Sequence, residues 1–488
     1  MSDEKQAEAL LSSANDTAKL VRSVHLTFML VMAYVGIIIA STTDVQLLKV
    51  SPVVLPLLNV KLPILEFYVI TPWLVLFLHF NLLIQCYLLA RKLHLFNAAL
   101  SKCDEEVANG MRDRLFTFAL SYNIVSRQNS FLIRFFQNGM MVFSVVIVPL
   151  VLLTWAQIRF IPYHSEAITW THRAVVLADC LLLWIVWPMI VLPEARLKQW
   201  LVCNKRRVRK LFGMQVGQST GEKRPNFTGT GQWSVMISSF ILLNISWFAA
   251  VHPGHNEDGS RQEQFFLANI LFNLPGYPFR QDLHIEEKIL IKSDISTKAE
   301  VALTSDQAYK RSGVLQEVMG LPLQNRDLRF ATFKNCAMPK VQLQGALLHG
   351  ANFSGSFLQE GNFLSAKMQG VKMVSSDLTA AVLTDANMHK GQFIYADLSS
   401  AKMDQSKMDG AIFSYANMQY ADLSSSYLQG AVLASACLQR ADFREAIMDG
   451  IVLDGASMMA IEIESERRDA IIKLSNNLKF KNTCRPHK

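Results

Sequence analysis

Disulfide frameworks and zinc ribbons are the first architectures this sequence fails to support. Its seven cysteines (Cys86, Cys103, Cys180, Cys203, Cys336, Cys437 and Cys484) form no CxxC pair, so neither is signalled. A phosphate loop is missing too. The stretch GQSTGEKR at 217–224 lacks a Gly-Lys-Ser/Thr ending and follows a basic segment instead of a strand. Charge is sparse, with 18% charged residues against 51% hydrophobic, and the net +8 invites a nucleic-acid reading only until the basic residues are located. They flank apolar runs, which favours membrane orientation over DNA binding. The opening MSDEKQAEALLSSANDTAKL reaches an apolar run too late for a cleaved secretion signal. A chain of 488 residues exceeds what one core usually organises, so at least two domains are expected.

What is present is uneven. Five apolar runs, at 24–41, 67–90, 138–158, 174–193 and 232–251, approach or exceed the ~20 residues that cross hydrocarbon as a helix. Trp73, Trp155, Trp170, Trp200 and Trp233 edge them, as interfacial indoles do. Residues 1–252 therefore read as a helical membrane domain with five transmembrane segments. The loop between runs two and three carries Arg112, Arg114, Arg127 and Arg134, and that between runs four and five carries Arg206, Arg207 and Arg209. The other two loops hold only Lys49 and Lys61, then Arg159 and Arg173. This asymmetry places the N-terminus and both basic loops in the cytoplasm of a bacterial inner membrane. Five crossings then leave everything after 252 periplasmic. Arg127, Arg134, Arg206, Arg207 and Arg209 form the membrane-surface basic set, with lipid headgroups as partners. Residues 107–136 mix arginine with Phe116, Phe118, Phe131, Phe135 and Phe136, a pairing suited to a helix lying on the inner surface.

Polar groups inside the runs are costly and mark where function hides. His79, Asn81, Asp179 and Asn244 make the candidate intramembrane polar site, with helix packing as the plainer reading; Asp179 stands six residues into its run, at shallow depth. Between runs one and two, Pro52, Pro56, Pro63 and Pro72 suit an interfacial segment and no continuous spanning helix.

From Leu328 to Met458 every residue whose number ends in 3 or 8 is Leu, Met or Phe, 27 positions without a break. Leu348, Phe353, Leu358, Phe363, Met403, Met408, Phe413, Met418, Leu423 and Leu428 belong to that series. Two places before each centre the residue is nearly always small, as at Ala346, Ala401, Ser406 and Ala411. A fixed period calls for a stacked solenoid, with large and small positions inward and polar ones facing water. The period alone leaves the number of sides per coil open.

The units ANFSG, ADLSS, ANMQY and ADFRE resemble the A(D/N)LxX pentapeptide repeats, over 321–460. The resemblance implies a right-handed quadrilateral β-helix with four units per coil, in which Leu348, Met368, Met388, Met408, Leu428 and Met448 stack in one ladder. Nearly seven coils would make a rod of about 30 Å. Lys367, Lys372, Lys402, Lys407 and Phe357 depart from the pattern where Asp or Asn is common. The expected whole is an α-helical transmembrane domain, a connector and solenoid lead-in at 253–320, the β-helix at 321–460, and a C-terminal helical cap with a basic tail at 461–488. Ile461, Ile463, Ala470, Ile471 and Leu474 would seat the cap.

Some members of that family mimic DNA through an acidic surface. Here 321–460 holds eleven Lys plus Arg against twelve Asp plus Glu, so mimicry has little support and no nucleic-acid partner is expected. His349 and His389 would stand two coils apart, too far to share a metal. No catalytic constellation, metal or cofactor emerges, and the reading is a non-enzymatic membrane scaffold. It offers Lys402, Lys407, Tyr415, Gln419, Tyr420 and Tyr427 to a protein partner or a second copy of the chain. The alternative is an oligomeric channel or transporter regulated by the rod, with a stress or phage-defence role left open.

Overall fold

The computed structural model describes residues 2–54, 61–116, 118–125, 131–191, 237, 239–241, 282–292, 315–316 and 318–463. Two compact units share the chain. The first takes Met1–Thr42, Pro52–Phe160 and Ser165–His252; the second takes Thr43–Ser51, Ile161–His164 and Pro253–Lys488.

Eight α-helices and four short strands are named here in chain order. They are α1 (Ser2–Ser41), α2 (Asp44–Lys49), β1 (Val53–Val54), β2 (Lys61–Leu62), α3 (Ile64–Leu100), α4 (Glu105–Asp113), α5 (Ala119–Val125), α6 (Phe131–Val142), α7 (Val148–Phe160), α8 (Glu166–Val191), β3 (His284–Glu286) and β4 (Thr332–Lys334).

In the first unit α1 packs on α3, α3 on α8, α8 on α7, and α7 back on α1. The seams are written in the sequence at heptad spacing. On α3 the buried series is Val75, His79, Leu82, Cys86, Leu89, Leu93, Phe96 and Leu100; on α1 it runs Ala7, Leu11, Ala14, Ala18, Val21, then Phe28, Met32, Val35 and Ile39. Steps alternating between three and four keep one stripe against a neighbouring helix over many turns. Both helices accordingly run well beyond their apolar runs, α1 starting at Ser2 and α3 ending at Leu100. Gly36 lets α7 approach α1, since a Cβ there would already touch Leu152 at 3.4 Å.

Among the described residues four helices are long and apolar enough to cross a membrane: Glu4–Ser41, Ile64–Leu100, Gly139–Tyr163 and Ala167–Val191. The third contains a π-turn, Phe143–Ile147, where the Val148 N–H reaches back five residues to the Phe143 carbonyl. Pro149 has no N–H for the Val145 carbonyl, and the widened turn absorbs that loss. Of the fifth run only Ile237 and Ser239–Ile241 are described, all helical. The Trp184 indole of α8 donates to the Ser239 hydroxyl at 2.7 Å. Within the proline-rich segment β1 pairs antiparallel with β2, and α3 starts right after Pro63 and runs through Pro72.

The basic segment 107–136 is three helices, and its middle is tied to α1. Arg114 pairs with Glu8 at 3.3 Å, and the Phe116 N–H donates to Asn15 Oδ1 at 2.7 Å. With the Phe116 ring also lying 5.9 Å from the Arg22 guanidinium, part of the segment's charge and aromatic content serves contacts within the bundle.

The second unit is built on a twenty-residue register. Leu347 bridges Lys367, Lys367 bridges Asn387, and the parallel series runs on to Asp442 with Glu462. Four five-residue units thus make one coil, and the large centres are buried on every side: Met403, Met408, Phe413, Met418, Leu423 and Leu428 are all 0% exposed. Their stacking is direct where rings meet, with Phe393 on Phe413 at 4.8 Å and Phe333 on Phe353 at 5.0 Å. Buried serines in the small inward position donate to the carbonyl three residues back, Ser406 to Met403 at 2.5 Å and Ser426 to Leu423 at 2.6 Å.

The recurring Asp or Asn has a mechanical cause here. The Asp or Asn before each centre accepts from the N–H two residues on, as Asp377 does from Thr379, Asp397 from Ser399 and Asp422 from Ser424, at 3.0–3.1 Å, closing the corner locally. Lys402 and Lys407 lack such an acceptor, yet their bridges to Asp422 and Tyr427 hold the register. Phe357 has its own reason: it packs against the cluster of Ile291, Val318, Ala337 and Ile289. That cluster seats the chain that follows the lead-in strand β3, which lies parallel to β4 with His284 opposite Thr332.

Around this lead-in gathers a charged cluster. His164 Nδ1 lies 3.3 Å from Asp327 and its Nε2 3.6 Å from Asp282, while Arg329 Nη2 meets Asp327 at 2.7 Å. The Arg326 guanidinium stacks 4.3 Å over Tyr163, and the His284 N–H donates to Asp44 at 3.1 Å. Burial pushes the Asp327 carboxyl up, but hydrogen bonds from His164 and Arg329 outweigh it and hold the group well below the usual carboxylate range. The rod is described to Ile463; the expected cap with Ala470, Ile471 and Leu474 lies outside the described residues. Cys437 is disulfide-bonded, although cysteine spacing had signalled no such bond.

Two outcomes follow. Phe413→Ala will lower rod stability by about 3–5 kcal/mol, read from denaturant midpoints, while Lys402→Ala will stay within about 0.5 kcal/mol. A depressed Asp327 stabilises the fold above its unfolded value of about 4, and that contribution drains as pH falls towards the folded value. Protection factors for hydrogen exchange at 282–292, with the intrinsic slowing in acid divided out, will therefore fall on acidification below about pH 4, and Asp327→Asn will remove most of that fall.

Candidate functional site

Two places concentrate chemistry. The first is one side of the rod. The wall whose inward residues are Leu398, Met418 and Leu438 presents Asp397, Asn417 and Cys437 in one outward file, with Asn417 Nδ2 donating to Asp397 at 3.1 Å. Ser399, Gln419 and Gln439 form the other file. Tyr395 and Tyr415, stacked at 4.9 Å and 18°, edge one corner, and Tyr420 beneath Arg440 at 5.6 Å edges the other. These tyrosines are 43%, 48% and 56% exposed, and all three are corner residues with φ near +60°. Of the six sequence candidates, this wall unites Tyr415, Gln419 and Tyr420. Lys402 lies on the Met403 wall, and Lys407 with its neighbour Tyr427 on the Met408 wall, because consecutive units face successive sides of the coil. Tyr395, not singled out beforehand, was readable as the residue twenty before Tyr415.

The second place lies inside the bundle. His79 Nδ1 and Asp179 Oδ1 are 2.6 Å apart with both side chains fully buried, joining α3 to α8, and Phe28 of α1 stacks on the imidazole at 5.7 Å. Among the described residues His79 Nε2 and Asp179 Oδ2 have no hydrogen-bond partner. Asp179 stands at the middle of α8. Asn81, two residues from His79, falls on the exposed face of α3, since two residues turn a helix by about 200°. Asn244, Arg127, Arg206, Arg207 and Arg209 lie outside the described residues. Arg134 is placed on α6 by its backbone alone.

A polar network at one end of the bundle went unforeseen. Tyr68 donates to Thr42 Oγ1 at 3.1 Å, Arg159 Nε donates to the Thr42 carbonyl at 2.8 Å, and His172 Nε2 donates to the Tyr68 carbonyl at 2.7 Å. Arg159 thereby satisfies carbonyl charge where α1 ends. Among the described residues no group of His, Cys, Asp or Glu is arranged to hold a metal.

A family model for pentapeptide repeats matches residues 327–363 and 392–430, in eight copies. The rod is a pentapeptide-repeat domain. Similar solved structures include QnrB1, a plasmid-mediated fluoroquinolone resistance protein, at 14% identity over 32% of this chain and 84% of that one, with TM-score 0.24. HetL of the cyanobacterium Nostoc, a pentapeptide repeat protein involved in heterocyst differentiation regulation, aligns at 18% identity over 28% and 87%, with TM-score 0.17. A pentapeptide repeat protein of the Arabidopsis thaliana thylakoid lumen aligns at 24% over 27% and 72%, with TM-score 0.13. No curated protein sequence matches the chain.

Beside the pentapeptide rod, the buried pair makes its own forecast. Removing one partner, as in His79→Leu, strands the other and will cost about 3–5 kcal/mol, whereas His79→Leu with Asp179→Leu will be close to neutral or stabilising. Thermal unfolding of the purified protein in detergent checks the order of the three forms.

Proposed function

We propose that this protein is a membrane-anchored, non-enzymatic scaffold. In this reading its helices hold it in a bacterial inner membrane with the N-terminus cytoplasmic. The pentapeptide rod stands on the periplasmic side and offers its tyrosine-edged wall to a protein partner or a second copy. The observation that carries the reading is that wall, which combines exposed aromatic edges with a flat polar centre. Tyrosine supplies large contact area at modest ordering cost. Orientation rests on the two basic loops and on five crossings, with 232–251 as the fifth. Lipid headgroups at Arg127, Arg134, Arg206, Arg207 and Arg209 complete the set of partners.

The His79–Asp179 pair favours a second reading, transport or gating by an oligomer of the bundle. A pair kept at a stability cost in the hydrocarbon is a functional hypothesis by default. If the stable double-leucine form passes ions across liposomes as the parent does, the pair has no part in transport.

The scaffold reading is tested by Tyr395→Ala, Tyr415→Ala and Tyr420→Ala together. Alanine is tolerated at these corners, since Ala380 adopts the same backbone with φ of 57°. The triple variant will keep its unfolding midpoint within the range of surface substitutions and lose the complex captured by cross-linking in intact membranes. A complex of unchanged composition on a folded rod would sink the proposal.

A further inference from the structure

One wall of the rod differs from the other three. Its inward residues are Phe393, Phe413 and Leu433, and its first outward file runs from Lys372 through Gln392, Ile412 and Val432 to Val452. Backbone bonds between coils set Val374, Ile394, Ser414, Ala434 and Asp454 in the second file. Between Lys372 at one end and Asp454 at the other, neither file holds a charge. In the same coils the other walls carry Lys402, Asp404 and Asp422, then Lys407 and Asp409, and Asp397. The uncharged field is open, with Val452 36% exposed and the residues above it half-buried. Gly410, Gly430 and Gly450 take the corners beside the first file, so no side chain rises above the wall on that edge. A contiguous apolar field rimmed by polar groups marks an interaction surface.

Opposite charges at the two ends make this field complementary to itself. Turned end for end about Ile412, a second copy sets Val432 against Gln392 and Ile394 against Ala434, large over small. Lys372 then lies level with Val452, two residues or about 7 Å along the strand from Asp454, a gap that a lysine side chain spans. Both ends pair at once, as a two-fold contact requires. Side by side in the same direction, each charge would instead face a valine, Lys372 against Val374 and Asp454 against Val452. Among the described residues neither Lys372 nor Asp454 has an ion-pair partner of its own. We propose that this wall docks a second copy of the chain, antiparallel and face to face, through the Ile412 centre and two reciprocal Lys372–Asp454 pairs. The field is about 19 Å tall over four coil spacings and at most about 16 Å wide over five residues, well below the ~800 Å² per partner of a stable soluble complex. A freely diffusing partner would leave, whereas a copy held in the same membrane meets the wall at raised effective concentration. From the scaffold reading this takes only the membrane, and it uses a different wall.

The test replaces Ser414 by the photoreactive residue p-benzoylphenylalanine in the full chain, in intact membranes. Irradiation will give a product of twice the chain's mass, whose tryptic digest joins peptide 408–440 to a second copy of itself. The same residue in place of Ser424, on the Leu423 wall, will give none. Lys372→Glu and Asp454→Lys will each cut the yield about tenfold, since each turns two attractive pairs into two repulsive ones. Made together they will restore it, which separates pairing from any effect on the fold. A product containing another protein, equal yields from 414 and 424, or a double exchange that fails to recover would each overturn the proposal. A tyrosine-dependent complex that persists alongside such a result leaves the scaffold reading standing, so the two fail separately.

Discussion

The narrowness of the coil governs the rod. Four walls of five residues enclose a space that takes one large side chain and one small one per wall, and every coil above and below repeats that demand. Ring on ring at Phe393 and Phe413 and hydroxyl on carbonyl at Ser406 are two ways of filling it at near-crystalline density. The backbone has little choice in consequence. Met408 N–H donates to the Tyr427 carbonyl at 2.7 Å, Ala411 N–H to the Met408 carbonyl at 2.9 Å, and Lys407 N–H to the Ala386 carbonyl at 2.9 Å. With backbone pairing on every wall, single departures from the consensus leave the register unchanged, which is why four lysines before the centres do not disturb it.

The bundle obeys a different constraint, the heptad seam. Because α1 and α3 keep one stripe over their whole length, the layer that contains Phe28 and His79 is as fixed as the leucine layers beside it. A buried polar pair in such a layer is a choice against stability, since apolar residues of similar volume would fit without desolvation. The geometry makes that choice conspicuous: one good contact at 2.6 Å and, among the described residues, one unpartnered atom left on each group.

Much of this was legible beforehand, for identifiable reasons. The beat of five is exact, so the inward residues could be named one by one; the four-sided coil came from family resemblance and is written in the bridges between residues twenty apart. The partnership of His79 with Asp179 was not legible, because a hundred residues separate them and no periodicity links two helices. The seams of α1 and α3 were readable but masked by apolar runs: Ala7, Leu11, Ala14 and Ala18 continue the stripe through a polar segment that hydropathy discards. The lead-in strand pairs across 48 residues, outside the period, and only Phe357, standing where Asp or Asn is usual, hinted that something packs there. The division of the candidate surface among walls follows from counting by twenty, which the list of exposed residues alone did not do.

Regularity this strict also narrows where specificity resides. In each unit the centre and the small residue face inward, and the last residue turns the corner in the left-handed region. Only the two places flanking the centre, with the corner side chain, face water. Left-handed backbone costs any L-residue roughly 1–2 kcal/mol, and Gly345, Gly410 and Gly430 avoid it where Tyr395, Tyr415 and Tyr420 do not. Alanine and serine accept the same backbone cost at other corners, so the conformation itself carries no message. What distinguishes the tyrosine corners is the side chain: stacking of Tyr395 on Tyr415 returns about 0.5–1.5 kcal/mol, and the rings still stand about half exposed. A corner that needed only to turn had glycine or serine available, and these turn while presenting a ring to whatever lies beside the wall.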